Sequence, residues 1–175
     1  MAARPGDPLS FGISREAGSL ACSGRAEAGG TASGTCRFDP DERFAAALAR
    51  HGIAPDGSDE MLGLTLVGAQ LATLDGLERD GFRFNDAGEL IAVSALGVSV
   101  EYADELRGAG LRVDRLGDLI AARALKIDTR WLGEMARAGY SDLAVGKAIQ
   151  MRALGVTPDY AAKMSRVLAA TGGLE

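Results

Sequence analysis

A glycine recurs at a constant interval through the centre of this chain, and this register constrains the fold more than any other feature. The glycines are Gly52, Gly81, Gly110 and Gly139, so the repeat has a period of 29 in residue number. Eight positions before each one lies an aromatic residue or, in one copy, threonine: Phe44, Thr73, Tyr102 and Trp131, with Tyr160 continuing the series. Four positions after these residues stand Leu48, Leu77, Leu106, Met135 and Met164. Such a register predicts an array of similar units that bury their apolar faces against their neighbours.

Each repeat is predicted to hold two short helices. The five positions just before the first helix of each repeat are Asp41, Gln70, Ser99, Asp128 and Thr157. All of them except Gln70 are capping types. The recurring glycine falls where a left-handed residue ends a helix. The second helix ends at Gly68, Gly97 or Gly155, while Lys126 replaces glycine in the remaining copy. The pattern predicts helices near 42–51, 59–67, 71–80, 87–96, 100–109, 116–125, 129–138, 144–154 and 158–168.

The segment before the repeats alternates apolar and polar residues, which is typical of strands with one buried face. The alternating pairs are Phe11 and Ile13, Leu20 and Cys22, and Cys36 and Phe38. The predicted fold class is mainly α, with a small three-stranded antiparallel β-meander at 10–38 before a helical repeat domain at 39–170. A disordered leader is expected at 1–9 and a tail at 171–175. We expect the apolar face of the meander to pack on the first helix, around Phe44 and Leu48, and an exposed β edge offers a route to oligomerisation.

The two cysteines are predicted to face each other across this meander. If the second hairpin is symmetric about residue 29, Cys22 lies directly opposite Cys36 on the same face of the sheet. A disulfide and a pair of buried free thiols both fit that placement, because the compartment decides between them.

Composition and motifs argue against catalysis and against nucleic acid. The chain has one histidine, His51, and its cysteines lack the spacing of a zinc site. Phosphate-loop, dinucleotide-binding, metalloprotease and nucleophile-elbow motifs are missing, so we expect no enzyme, no metal and no cofactor. The net charge is −5 and the basic residues form no run, whereas affinity for nucleic acid rests on clustered Lys and Arg. A nucleic-acid-binding helical protein and an enzyme of unrecognised type are the alternatives.

The compartment is open at the level of sequence. Apolar stretches are far shorter than the roughly 20 residues that span a bilayer, and the N-terminus lacks the apolar core of a signal peptide. These features indicate a cytoplasmic protein. A cell-envelope location follows instead if the chain is a piece of a longer exported protein.

The repeats resemble those in the C-terminal regions of bacterial antirepressor-type membrane metallopeptidases and related uncharacterised proteins. The residues that carry the resemblance are the segment Ala153 to Tyr160, its diverged copies Ala95 to Tyr102 and Ala124 to Trp131, and the following Leu132 to Tyr140. The segments Ser14 to Leu20 and Gly34 to Asp41 are similar to the β segment that precedes such repeats. The resemblance covers residues 11–168. It implies a sensing or contact surface outside the cytoplasmic membrane, and no proteolysis, since the peptidase part with its zinc motif is not in this sequence.

The function predicted from the sequence is a non-catalytic protein-interaction or regulatory module with an unidentified protein partner. In such arrays the residues that depart from the repeat are the best contact candidates, because the conforming ones are occupied with packing. The predicted contacts are Lys126, Arg130 and Gln150. The periodic aromatic residues could form a ligand-binding ladder, but regular recurrence favours a structural wedge between helices.

Overall fold

The computed structural model describes residues 4–170, with side chains to residue 167, and within them it shows a mainly α fold with an N-terminal β-meander. Residues 1–3 of the expected leader and the expected tail at 171–175 lie outside the described residues. The chain divides into two compact units. The described residues up to Leu74 and the segment Phe84–Ala95 form the first, while Asp75–Arg83 and the described residues from Leu96 onward form the second.

The meander is an antiparallel sheet in the order β1-β2-β3, made of β1 (Pro8–Arg15), β2 (Gly18–Ala26) and β3 (Ala32–Pro40). The strands are longer than predicted. Gly6 donates a main-chain hydrogen bond to Ala26, and Ala26 donates one to Asp7, so pairing begins inside the stretch expected to be a leader. The second hairpin loop is confined to residues 27–31, which leaves the hairpin symmetric about residue 29.

Nine helices follow within residues 42–170, close to the predicted boundaries. They are α1 (Glu42–Arg50), α2 (Gly57–Val67), α3 (Leu71–Arg79), α4 (Ala87–Leu96), α5 (Val100–Gly108), α6 (Leu116–Ala124), α7 (Thr129–Arg137), α8 (Val145–Ala153) and α9 (Pro158–Ala170). The starts of the odd-numbered helices are separated by one repeat period each, and so are the starts of α4, α6 and α8. The repeat seen in the sequence is therefore a repeat of structure.

The N-caps of the odd-numbered helices follow the sequence pattern. The side chains of Asp41, Ser99, Asp128 and Thr157 each accept a hydrogen bond from a backbone N–H of the first turn. Gln70 is the one residue in this series that is not a capping type. At that helix the Leu71 N–H donates instead to the carboxylate of Glu16, from the turn between β1 and β2, over 3.1 Å.

The helix ends use left-handed residues, as predicted. The recurring glycines have φ between 77° and 98°: Gly52, Gly81, Gly110 and Gly139. The even-numbered helices α2, α4 and α8 end at Gly68, Gly97 and Gly155, which are also left-handed. Lys126 occupies the equivalent place after α6 with φ 55°, where a side chain is disfavoured. The repeat thus imposes its backbone on a residue poorly suited to it.

Each unit has its own apolar core. In the first unit Phe44, Leu48, Ile53, Leu64 and Leu90 are 3% exposed or less, and the strands lie against α2. We expected them to pack on α1, around Phe44 and Leu48. The alternation of strand residues identifies an apolar face but not the helix that covers it. In the second unit the core residues are Leu77, Phe82, Leu106, Leu111, Leu119, Ile127 and Met135, all 2% exposed or less.

Candidate interaction surface on the last repeat

Two arginines in the second unit join one repeat to the next in the same way. Arg123 of α6 lies over the ring of Tyr102, with its guanidinium carbon 4.8 Å from the ring centroid. Its Nε donates to the carbonyl of Leu96 over 3.1 Å. Arg152 of α8 is the equivalent residue of the next repeat. It makes the same two contacts, with the ring of Trp131 and the carbonyl of Leu125. We call this arrangement of arginine, ring and carbonyl a clamp.

The second clamp is built by α8 on α7. The guanidinium carbon of Arg152 lies 5.6 Å from the ring centroid of Trp131, and its Nε donates to the Leu125 carbonyl over 2.9 Å. A guanidinium over an aromatic face is attracted by the ring quadrupole, and its stem covers apolar surface. Each clamp therefore combines a directional hydrogen bond with burial of the ring: Trp131 and Tyr102 are both 4% exposed.

Tyr102 adds a second tie to the next repeat. Its buried hydroxyl donates to the carbonyl of Ile127 over 2.7 Å. Burial raises the pKa of Tyr102 to about 12, against the opposing effect of the nearby Arg123 charge. The indole Nε1 of Trp131, at the equivalent position, is buried and has no hydrogen-bond partner among the described residues.

The first unit lacks these clamps at the corresponding positions. Thr65 and Ser94 stand where the later repeats have Arg123 and Arg152. Their hydroxyls donate to carbonyls of their own helices, Thr65 to Met61 and Ser94 to Leu90, each over 2.8 Å. Joining repeats through arginine is therefore a property of the second unit among the described residues.

A different set of polar contacts joins the ends of odd-numbered helices in the second unit. Arg107 of α5 forms an ion pair with Asp80 and donates to Asp104 over 2.7 Å, and it lies over the ring of Phe82. The hydrogen bond with Asp80 raises the pKa of Arg107. Two repeats later, the Ser165 hydroxyl of α9 donates to the carbonyl of Ala138 over 2.8 Å. Arg107 is thus engaged between repeats through its contact with Asp80.

The last repeat exposes the positions that earlier repeats bury. Tyr160 is 55% exposed, whereas its equivalents Phe44, Tyr102 and Trp131 are 3–4% exposed, which confirms the structural wedge for those three. Met164 is 37% exposed, whereas its equivalents are fully buried: Leu48, Leu77, Leu106 and Met135. Leu154, just before α9, is 82% exposed. We call Tyr160, Met164 and Leu154 the open face; Leu154 differs from the other two because its equivalent Leu96 is also exposed, at 36%.

The predicted contact residues do not meet one another. Arg130 and Glu134 of α7 form an exposed ion pair of 3.1 Å on a shallow groove, whose other wall is Pro158, Asp159 and Ala162 of α9. Lys126 lies at the turn before α7, where its carbonyl is 3.5 Å from a terminal nitrogen of Arg152. Gln150 lies exposed on α8. No hydrogen bond or ion pair joins these three side chains within the described part of the chain.

The predicted cysteine pair is joined by a disulfide. Cys22 of β2 and Cys36 of β3 are opposite each other in the strand register, and their sulfurs are bonded. Beside them a groove on the sheet is lined by Phe11 and Leu9, which are 62% and 37% exposed. This apolar face of the meander is therefore only partly covered.

Sequence reasoning missed two features of the second unit. The clamps had a signal, since one repeat period separates Arg123 from Arg152, just as it separates the residues they touch. The exposure of Tyr160 had none, because periodicity alone gives every copy the same environment. Among residues 4–170, no group of three or more His, Cys, Asp or Glu could hold a metal ion, and no helix is long and apolar enough to cross a membrane.

Comparison with protein-family models, with curated proteins and with solved structures gives no match for this chain.

Proposed function

We propose that this protein is a non-catalytic interaction module with a regulatory role, which docks a protein partner on its last repeat. The open face carries the proposal. Tyr160 is 55% exposed where three of the four preceding repeats bury an aromatic ring to 4% or less, and Met164 is 37% exposed where all four bury an apolar side chain completely. Apolar side chains that are exposed where their equivalents pack against a neighbouring repeat are typical of a docking site.

The residues that depart from the repeat are candidates for additional polar contacts. Lys126 holds a left-handed conformation that its equivalents reach with glycine, and strained residues retained in a fold point to a functional role. The Arg130 side chain is 85% exposed beside α9. We therefore propose Lys126, Arg130 and Gln150 as further, polar contacts of the same partner.

Affinity capture from the source cells with the full chain tests this function. The substitutions Tyr160→Gln and Met164→Gln together should abolish retention of a partner. The matched control is Lys163→Gln with Arg166→Gln, two exposed positions on the same helix, and it should retain that partner. Reversing Lys126 and Arg130 to glutamate should weaken retention while leaving the melting temperature nearly unchanged.

Two results would reject the proposal. One is a partner that is retained equally by the control and by the variant with Tyr160→Gln and Met164→Gln. The other is turnover of a substrate that is lost on a point substitution which preserves the fold. A DNA affinity that falls steeply with salt would instead favour the nucleic-acid alternative.

The Cys22–Cys36 disulfide favours a second candidate, a sensor region of a larger envelope protein. Structural disulfides persist in oxidising compartments and are rare in the cytosol. The resemblance to the repeats of bacterial membrane metallopeptidases points the same way. Maleimide labelling of cells before and after reduction distinguishes the compartments, since cysteines that label only after reduction indicate an oxidising one.

A further inference from the structure

We infer that the occupant of the open face is an amphipathic α-helix that presents an arginine to Tyr160. The inference rests on the proposed docking function and specifies the chemistry of the partner. It follows from the two clamps, in which the second unit twice places an arginine over the ring at this position.

Each clamp has three parts at fixed offsets. The ring belongs to the third residue of an odd-numbered helix, and the accepting carbonyl lies six positions before it, Leu96 before Tyr102 and Leu125 before Trp131. Leu154 lies six positions before Tyr160. The last repeat therefore supplies the ring and the carbonyl of a third clamp, and no arginine within the described residues completes it. The missing part is the guanidinium.

The helices that supply the arginine in the existing clamps share an apolar pattern. Small or aliphatic residues lie one, four and seven positions before the arginine: Leu116, Leu119 and Ala122 in α6, and Val145, Ala148 and Met151 in α8. Five of these six side chains are buried, and Val145 is intermediate. A partner helix with this spacing would set an apolar stripe against Met164 while its arginine reached Tyr160.

The Tyr160 hydroxyl defines where the partner helix should end. The equivalent hydroxyl of Tyr102 donates to Ile127, four positions beyond Arg123 and just past the end of α6. A helix that finished shortly after its arginine would present a carbonyl in the same place. Carbonyls at a helix end lack intrahelical partners, so the hydroxyl would satisfy one of them.

A second copy of this chain is the less suitable occupant. Arg123 and Arg152, the arginines that follow the apolar stripe on α6 and α8, are already bound in the copy's own clamps. Using either one would require breaking contacts within its own second unit. The occupant is therefore a helix of a different protein.

The test uses the full chain and a synthetic peptide with the sequence of residues 143–156, which contains α8. A short helix is marginal alone, so a hydrocarbon staple should join positions 146 and 150, both exposed in α8. Fluorescence anisotropy of the labelled peptide measures the dissociation constant. We expect saturable binding, weakened about tenfold when the arginine equivalent to Arg152 is replaced by glutamine.

Variants of the chain assign the effect to the clamp. In Tyr160→Ala the arginine and glutamine peptides should bind equally weakly, whereas Tyr160→Phe should keep most of the arginine preference. Lys163→Gln is the control on the same helix and should leave both affinities unchanged.

Three results would overturn the inference: no binding up to the solubility of the peptide, binding indifferent to the arginine or to Tyr160, or self-association of the chain that Tyr160→Ala abolishes. The capture experiment separates these failures from that of the proposed function. If a captured partner depends on the open face but the peptide shows no preference for arginine, the proposed docking function stands. Only the inference of an arginine-bearing helix is then rejected.

Discussion

The meander and the helical repeats are stabilised by different interactions. In the repeats one residue in each odd-numbered helix before the last, such as Leu48 or Leu106, is completely buried, and the helices depend on this side-chain packing. In the meander Phe11 remains 62% exposed, and the strands are held by their hydrogen-bond ladder and by the Cys22–Cys36 bond. The comparison indicates that the repeats should be sensitive to lost volume and the meander to a lost cross-link.

The largest effect should come from emptying a core position of the repeats. Leu106→Ala should lower the free energy of unfolding by about 2–5 kcal/mol, because it removes buried area and leaves a cavity. Glu105→Ala, at the exposed neighbour on the same helix, should change little. Urea denaturation measures both. Equal losses in the two variants would mean that the buried face of α5 is wrongly assigned.

Removal of the disulfide should have the next largest effect, confined to the meander and its surroundings. The bond joins residues 14 apart, and a loop of that size is worth about 3 kcal/mol. Replacing Cys22 and Cys36 by serine should reduce hydrogen-exchange protection in β2 and β3. Protection in α6 and α7 should be unchanged. A uniform loss across all these elements would contradict the distinction between the two regions.

Tyr102→Phe should cost about 1 kcal/mol at pH 8 by removing the hydrogen bond to Ile127. The folded pKa of about 12 exceeds that of an unfolded tyrosine, near 10, so the folded state holds this proton more tightly. The resulting stabilisation is complete below pH 10 and is lost as the pH rises towards 12. Urea unfolding at pH 8 and pH 11 should therefore show a steeper decline for the native chain than for the phenylalanine variant. Parallel declines would show that the Tyr102 hydroxyl is not buried.

The smallest expected effect concerns the left-handed position after α6. Lys126→Gly should stabilise the chain by about 1 kcal/mol, since glycine adopts this backbone without the steric cost of a side chain. The reciprocal change Gly155→Lys, where a Cβ meets no other atom within 4 Å, should destabilise it by a similar amount. Thermal melting of the two variants provides the measurement. Shifts of the same sign would show that the two repeats do not share one backbone.

The sequence predicted features that depend on local or periodic patterns. Helix starts followed from capping residues such as Asp128, helix ends from glycines such as Gly110, and the pairing of Cys22 with Cys36 from the hairpin. Features that depend on tertiary contacts were not accessible. The covering of the strands by α2 is one example, because alternation in a strand does not identify the helix that packs on it.

In the candidate site, too, local pattern was readable from the sequence and tertiary environment was not. Lys126, Arg130 and Gln150 were selected because they depart from the repeat, and their role as contacts stays a prediction. The open face depends on what lies beside α9 in space. Tyr160 has the same sequence signature as Trp131, yet one is 55% and the other 4% exposed.

The hydrogen bond from Leu71 to Glu16 has a consequence for the order of folding. It joins residues 55 apart, whereas the contacts of Arg123 and Arg152 with the preceding repeat join residues 27 apart. Shorter loops close at lower entropic cost, and chains dominated by local contacts fold faster. The later repeats can therefore assemble before the start of α3 acquires its cap. Because a contact that forms late contributes little to the transition state, Glu16→Gln should hasten the unfolding of the first unit and leave its folding rate nearly unchanged. Hydrogen exchange during refolding and during unfolding can measure the two rates.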